Sequence, residues 1–213
     1  MKIVRLSDEQ QLRELYAFRY AIYVDELGWL SPVCDGEEVG QCVDAASLAE
    51  GLLTDRFDSI ALNYAALDDD GHVVGSMRVV PDGSLGLPLE ECWPLNGFRS
   101  GKHSVELCRF AVAKPQRGTR LSLLLMKAGY QGAKRTGASH LMVDAYMDDV
   151  QRTHTLYQKF GFEPIGEPYA DSRYVLTTPS VVMSVEWERG EPQLPMHLRR
   201  YFTSPDPMIA HEG

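Results

Sequence analysis

The chain has 213 residues, 44% of them hydrophobic and 24% charged, which suits one α/β domain with a sizeable core and is short for two. Its net charge of −9 argues against broad binding to nucleic acid or anionic membrane, and no apolar run approaches the ~20 residues of a membrane span. Met1-Lys2-Ile3-Val4-Arg5-Leu6-Ser7-Asp8 turns polar too soon for a secretory signal, so a cytoplasmic location is expected.

The first predicted element is a helix that begins near Ser7 or Asp8, either of which can cap it, and runs to about Glu26. Leu15, Ile22 and Tyr23 recur along it at helical spacing, with Phe18 close by, so one face packs inward. Arg19 shares that face with Tyr16 and Tyr23, and a guanidinium there needs a carboxylate partner. From Ser31 to Thr54 periodicity is lost, which reads as a long loop with a short helix; loops of that length in compact domains are usually functional or mobile. Ile60 to Leu67 and Val73 to Val80 read as strands joined in a hairpin at Asp69-Asp70-Gly71. A Gly- and Pro-rich loop follows from Pro81 to about Ser104.

Val105 to Ala113 reads as a buried strand, Thr119 to Arg135 as a helix, His140 to Tyr146 as a strand and Asp148 to Phe160 as a helix. Strand-like pieces lie near Phe162 to Ile165 and Val181 to Trp187. This order implies a mixed α/β sheet with helices on both faces. The expected division is one domain over 1–188 and, over 189–213, an extended and partly disordered tail punctuated by Pro192, Pro195, Pro205 and Pro207.

Three features carry candidate chemistry. The turn Lys114-Pro115-Gln116-Arg117-Gly118-Thr119-Arg120 joins a strand to a helix; it is either a plain turn or a place where helix N–H groups meet a phosphate. Lys114, Arg117, Arg120, Lys127, Lys134 and Arg135 cluster there with no acidic residue between them, as a solvated helix face or as a docking patch for an acidic partner. Arg19, Arg78 and Arg109 sit in apolar elements, as do Asp55, Asp58 and Glu106 or their neighbours; sharing one core edge, these groups would offset each other's burial. Such a network either fixes the first helix on the sheet or also builds a cleft. Glu106 and Arg109 are an odd number of residues apart, so they face one cleft only if the strand is bulged. Cys34, Cys42, Cys92 and Cys108 show neither CxxC pairing nor a His at zinc spacing, which points to reduced thiols and no metal site.

The strand and basic turn, together with Leu156-Tyr157-Gln158-Lys159-Phe160-Gly161-Phe162-Glu163-Pro164-Ile165-Gly166, resemble the GNAT acyltransferase superfamily. A narrower resemblance covers most of residues 12 to 113. Phe18-Arg19-Tyr20-Ala21-Ile22-Tyr23-Val24-Asp25-Glu26-Leu27-Gly28-Trp29 is similar to the opening motif of acyl-homoserine-lactone (autoinducer) synthases and the related N-acyl amino acid synthases. Asp55-Arg56-Phe57-Asp58 resembles their D-x-[YF]-D, Gly75-Ser76-Met77-Arg78-Val79-Val80-Pro81 their G-x-x-R-x-x-P, and Glu106-Leu107-Cys108-Arg109-Phe110 their E-x-S-R-F. The resemblance implies a single GNAT-like domain with a mostly antiparallel sheet and a bulged central strand.

It also implies acyl transfer from a thioester to the amine of an amino-acid-like acceptor. Glu106 would take the ammonium proton, directly or through a water. Asp55 and Asp58 would hold the ammonium, with Arg78 and Arg109 positioning these carboxylates or an acceptor carboxylate. N–H groups around Phe110 to Val112 would hold the oxyanion, and Tyr157 would protonate the thiolate unless it is simply a core aromatic. Arg19, Tyr23, Trp29, Phe110 and Val112 join the substrate-binding set; Lys114, Arg117, Gly118, Arg120 and Lys127 are assigned to the donor. Pro115 and Arg120 depart from the acetyl-CoA pattern around Gly118, so an acidic acyl-carrier protein is favoured over free acetyl-CoA, with acyl-CoA as the other donor and no resident cofactor. Tyr23 in place of the usual Phe, the long segment from Trp29 to Asp55, Leu87-Pro88-Leu89-Glu90 and Gly161-Phe162 favour an N-acyl amino acid synthase. A homoserine-lactone synthase using S-adenosylmethionine stands close behind, followed by an ordinary acetyl-CoA-dependent acetyltransferase and a non-catalytic ligand-binding protein.

Overall fold

The structure, a computed structural model, describes residues 1–30, 43–95, 98, 102–147, 153–175, 178–187 and 194–211. Its strands are β1 (Lys2–Leu6), β2 (Leu62–Leu67), β3 (Val73–Pro81), β4 (Ser104–Val112), β5 (His140–Tyr146), β6 (Glu163–Pro164), β7 (Ser180–Glu186) and β8 (Ile209–Ala210). They form one sheet in the order β6-β7-β5-β4-β3-β2-β1-β8, antiparallel except where β4 meets β5 and β1 meets β8. The helices are α1 (Glu9–Tyr20), α2 (Ala45–Ala49), α3 (Leu121–Arg135), α4 (Thr153–Lys159) and α5 (Met196–Thr203).

Alternation along β2 places helices on both faces, as expected. Tyr64 and Ala66 pack in the cluster that holds Leu121, Leu124 and Leu125 of α3, whereas Ala65 and Leu67 pack with Leu15 of α1. Helix α3 lies close to the sheet because two of its interior positions lack side chains. A Cβ at Gly132 would stand 2.6 Å from the Tyr64 hydroxyl oxygen, and one at Gly129 would stand 2.9 Å from Met77 Cγ. Each glycine costs about 1 kcal/mol of helix propensity; the close approach accounts for keeping both.

Asp8 caps α1 by accepting a 3.0 Å bond from the Gln11 N–H. The helix continues to Glu26 as expected, but from Ala21 it is wound as a π-helix. That wider winding turns the consecutive residues Ile22, Tyr23 and Val24 all inward. Residues 31–42 of the expected long loop lie outside the described residues; its short helix is α2, capped by Asp44. In the Gly- and Pro-rich loop a 3-10 turn at Pro88–Glu91 buries Leu87 and Leu89. The helix expected over 148–160 is described as α4, with 148–152 outside the described residues.

Two elements depart from the sequence reading. β1 has no counterpart there, because Lys2 and Arg5 mask its alternation; fully buried Ile3 shows which face is inward. The segment after 188 is not simply extended. Met196–Thr203 forms α5, whose buried Phe202 meets Tyr130 and Phe160 at ring-centroid distances of 5.2 and 5.1 Å. Pro195 stands at the N-cap, and Pro205 and Pro207 follow the helix, so these prolines bracket it rather than interrupt it. β8 then pairs with β1 at Ile3–Ile209 and Val4–Ala210. Among the described residues, no helix is long and apolar enough to cross a membrane.

Candidate active site

The strand bulge that Glu106 and Arg109 need in order to face one cleft is present. Ser76 pairs with Ala111 but Arg78 pairs with Cys108, so Met77 on β3 faces both Arg109 and Phe110 on β4. Arg109 absorbs the extra residue by adopting φ 51°, a left-handed conformation that no other described non-glycine residue takes. Both Glu106 and Arg109 consequently line one cavity of about 740 Å³. The cavity opens where β4 and β5 part, since their parallel ladder ends at Leu107–Val143 although both strands continue.

The three arginines and two aspartates form the expected ion network. Arg78 Nη1 lies 2.7 Å from Asp55 Oδ1 and 3.1 Å from Asp58 Oδ2; Arg109 Nη2 lies 3.0 Å from Asp55 Oδ2; Arg19 Nη1 lies 3.0 Å from Asp58 Oδ1. Arg19 also donates to Ser76 Oγ at 2.9 Å and Asn63 Oδ1 at 2.6 Å. Burial alone would raise the Asp55 carboxyl, but the Arg78 and Arg109 guanidiniums hold it well below the usual carboxylate range. The remaining bonds come from the main chain: Asp55 Oδ1 accepts from the Phe57 N–H at 2.9 Å and Asp58 Oδ2 from the Asp55 N–H at 3.0 Å. Every oxygen of both aspartates is therefore engaged. They are poorly placed to hold an acceptor ammonium, because binding one would displace a buried guanidinium. Arg19 and Asp58 stand behind the cavity, while Asp55, Arg78 and Arg109 reach its wall.

Glu106 is outside this network. Its Oε2 accepts from the Leu89 N–H at 2.8 Å, a contact supplied by the 3-10 turn, and burial pushes the carboxyl up to about 7. Tyr157 of α4 faces the same cavity, and burial keeps its phenol protonated far above the ordinary value. Cys108, between Glu106 and Arg109, accepts a 3.3 Å contact from Arg78 Nε; burial raises its thiol to about 11. Tyr23 and Trp29 join Tyr146 and Tyr174 in an aromatic wall, with Trp29 edge-on to Tyr146 at 4.8 Å and Tyr23 stacked on Tyr174 at 6.3 Å. Tyr23 also donates to the Phe110 carbonyl at 3.1 Å, and Arg117 Nε donates to the Val112 carbonyl at 3.0 Å, so Phe110 and Val112 lie at the cavity edge.

The basic turn divides. Gly118, at φ 77°, and Arg117 border the cavity with Ser122 of α3, and Arg117 is ion-paired with Glu26. Lys114 and Arg120 are exposed beside them and do not line the cavity. Lys127 does not belong to a surface patch. It is 2% exposed, points into the protein, and meets Asp206 at 3.3 Å and the Tyr201 ring at 4.7 Å. Both partners come from the segment after 188, which packs here instead of extending away.

Lining residues that were not singled out from sequence include Asp144, Asp171, Arg173 and Tyr174. Arg173 binds Asp171 Oδ2 at 2.7 Å and pairs with Asp144; Tyr174 accepts from Arg109 Nη1 at 3.1 Å. Asp144 carried a signal, being a charge inside the apolar strand His140-Leu141-Met142-Val143-Asp144-Ala145-Tyr146. Asp171-Ser172-Arg173-Tyr174 lies in a loop without periodicity and carried none.

The family model described as N-acyl amino acid synthase FeeM matches residues 14–186. The solved structure of FeeM, an N-acyl amino acid synthase from uncultured soil microbes, superposes with a TM-score of 0.69 at 15% identity, covering 92% of this chain and 96% of that one. BjaI, a CoA-dependent acyl-homoserine lactone synthase solved with SAM and isopentyl-CoA, gives 0.68 at 19% identity, covering 100% and 93%. Escherichia coli ElaA gives 0.54 at 18% identity, covering 87% and 97%. No curated protein sequence matches the chain.

Proposed function

The chain belongs to the N-acyl amino acid synthase FeeM family, and from that premise we propose that it moves a fatty acyl group from a carrier thioester to the α-amine of an amino acid. Membership makes it an N-acyltransferase; donor and acceptor are our reading. The observation that carries this reading is Glu106, a buried carboxyl facing a large cavity with its affinity for protons tuned close to neutral. A base of that strength can deprotonate an ammonium and still be ionised in a large fraction of molecules at pH 7.

In this reading the freed amine attacks the thioester carbonyl, forming the C–N bond. N–H groups of Phe110, in the bulge, and Val112, beyond it, hold the oxyanion. The C–S bond then breaks, and Tyr157 gives its proton to the departing thiolate. Over the reaction the nitrogen loses two protons, of which one ends on the thiol and one in solvent. Arg78 and Arg109 shape the cavity wall, held in place by Asp55, Asp58 and, from behind, Arg19.

The donor is a thioester on coenzyme A or on an acyl-carrier protein, both built around an acidic phosphopantetheine arm. The start of α3, with Gly118 and Ser122 on the cavity and Lys114, Arg117 and Arg120 around it, offers N–H groups and positive charge to such an arm. With Lys127 turned inward, the charge available to a protein carrier is smaller than the sequence suggests. A second acceptor, S-adenosylmethionine, is favoured by the aromatic wall of Tyr23, Trp29, Tyr146 and Tyr174, on which an adenine ring can stack. Expression in a bacterium, followed by mass spectrometry of the extract, separates the two. N-acyl amino acids that depend on an intact Glu106 support the first reading, and an N-acyl homoserine lactone replaces it with the second.

A further inference from the structure

Four carboxyl groups among the described residues border the cavity: Asp55, Glu106, Asp144 and Asp171. An ammonium group entering it needs a carboxylate oxygen that is not already engaged. Asp55 offers none, as its oxygens are held by Arg78, Arg109 and the Phe57 N–H. Asp171 offers none either. Its Oδ1 accepts from Arg173 Nε at 2.9 Å, the Arg173 N–H at 3.0 Å and Cys92 Sγ at 3.2 Å, and its Oδ2 from Arg173 Nη2 at 2.7 Å.

Asp144 differs from both. Its Oδ2 accepts from the Tyr169 hydroxyl at 2.8 Å and pairs with Arg173, but its Oδ1 is buried and has no hydrogen-bond partner among the described residues. A buried carboxylate oxygen left without a donor is costly, and a cavity-lining position gives a ligand the means to satisfy it.

The sheet places this oxygen relative to Glu106. β4 and β5 run parallel with Glu106 beside Met142, and Asp144 follows Met142 by two residues, so Asp144 and Glu106 present the same face. The ladder ends at Leu107–Val143, which leaves Asp144 as the first residue of β5 beyond its pairing with β4. Behind it, Arg173 is itself braced by Asp171 and by the Pro88 carbonyl at 3.0 Å, so Oδ2 is fixed in place while Oδ1, itself buried, is left without a partner among the described residues.

The geometry points to Asp144 as the residue that receives the acceptor's ammonium group, through Oδ1, and sets its nitrogen beside Glu106 for deprotonation. This rests on the N-acyltransferase reading of the same cavity, and it replaces Asp55 and Asp58 in the ammonium-binding role. An ammonium has three N–H donors and can bridge Asp144 and Glu106 at once. Burial raises both carboxyls above the ordinary range, and a bound cation favours their ionised forms.

The test is steady-state kinetics of Asp144→Asn, with dodecanoyl-CoA as donor and, as acceptor, whichever of the twenty L-amino acids the wild type uses fastest. KM for the acceptor is expected to rise about 10- to 100-fold, the loss of one charge-assisted hydrogen bond, while KM for dodecanoyl-CoA stays unchanged. Binding of the acceptor's desamino analogue is also expected to be unaltered, so the preference for the amine over that analogue collapses; Asp144→Glu restores part of it. Arg173 keeps Asp171 as counter-ion in either variant. An unchanged acceptor KM, or equal weakening of acceptor and desamino analogue, overturns the assignment. A crystal structure of the wild type with the acceptor decides the matter without any variant: the amine nitrogen within hydrogen-bond distance of Asp144 Oδ1 supports the inference, and its placement on another group overturns it. Failure of the underlying reading shows earlier and separately, as a wild type that acylates none of the twenty amino acids, and it takes this inference down with it.

Discussion

Glu106 and Arg109 share a strand at odd spacing and still face one cavity, because the left-handed turn at Arg109 shifts β4 by one residue against β3. Arg109 is then held by Asp55, whereas Glu106 is free of the arginine network and touches only the Leu89 N–H among the bonds described. Separation of the two charges lets one act structurally and the other exchange protons. Glu106→Gln is expected to lower kcat by about 10²- to 10⁴-fold, with an unchanged far-ultraviolet circular dichroism spectrum. An unimpaired variant removes Glu106 from the mechanism.

Activity should follow the ionisation of that carboxyl. Burial lifts it from an ordinary 4.5 to about 7, so kcat/KM for wild type is expected to climb as pH rises toward 7 and to level off above it. Stability runs the opposite way. A carboxyl whose pKa is raised in the folded protein stabilises the fold only while protonated, and that contribution is lost as pH rises from about 4.5 through 7. Gln cannot ionise, so Glu106→Gln is expected to be more stable than wild type at pH 8, by up to about 3 kcal/mol, with the gap closing toward pH 5. Urea melts across that range measure it.

Asp55 has the reverse dependence on its charge. It lies between two buried guanidiniums, at 2.7 Å from Arg78 and 3.0 Å from Arg109. Asp55→Asn leaves both short of a counter-ion and is expected to cost about 3–5 kcal/mol. The exposed pair Arg13–Glu50, at 3.1 Å, is the control: Glu50→Gln is expected to change stability by less than about 1 kcal/mol. Equal effects at the two sites would show that the buried network does not hold the cleft together.

Tyr157→Phe tests the leaving-group proton. The phenol is buried on the cavity and packs edge-on to Phe162 at 5.3 Å, a contact Phe preserves. Turnover of an alkyl thioester is expected to fall by about 10²-fold or more, and an aryl thioester, whose thiolate leaves without a proton, should recover most of it. No difference between the two donors would return Tyr157 to a packing role.

Much of the site was legible in sequence because buried charges in apolar elements announce themselves. Arg19, Arg78 and Arg109 had to be paired, and Glu106 and Arg109 could share a cleft only across a bulge, which the family resemblance implied. What escaped was set by contacts remote in sequence. The saturation of Asp55 and Asp58 depends on guanidiniums brought from other elements, Arg78 and Arg109 at Asp55 and Arg19 and Arg78 at Asp58. Lys127 was drawn inward by Asp206, a residue 79 positions away in a segment whose prolines read as extended chain. The same holds for Arg173, which reaches Asp144 and Pro88 from an irregular loop.

The central claim is acyl transfer to an amino acid amine, and it is met most directly by the purified protein. Dodecanoyl-CoA or dodecanoyl carrier protein is mixed with the twenty L-amino acids, and thiol release and product mass are followed together. The expected result is amino-acid-dependent release of one thiol per N-dodecanoyl amino acid formed, abolished in Glu106→Gln. Thiol release indifferent to amino acids, or none at all with either donor, would contradict it.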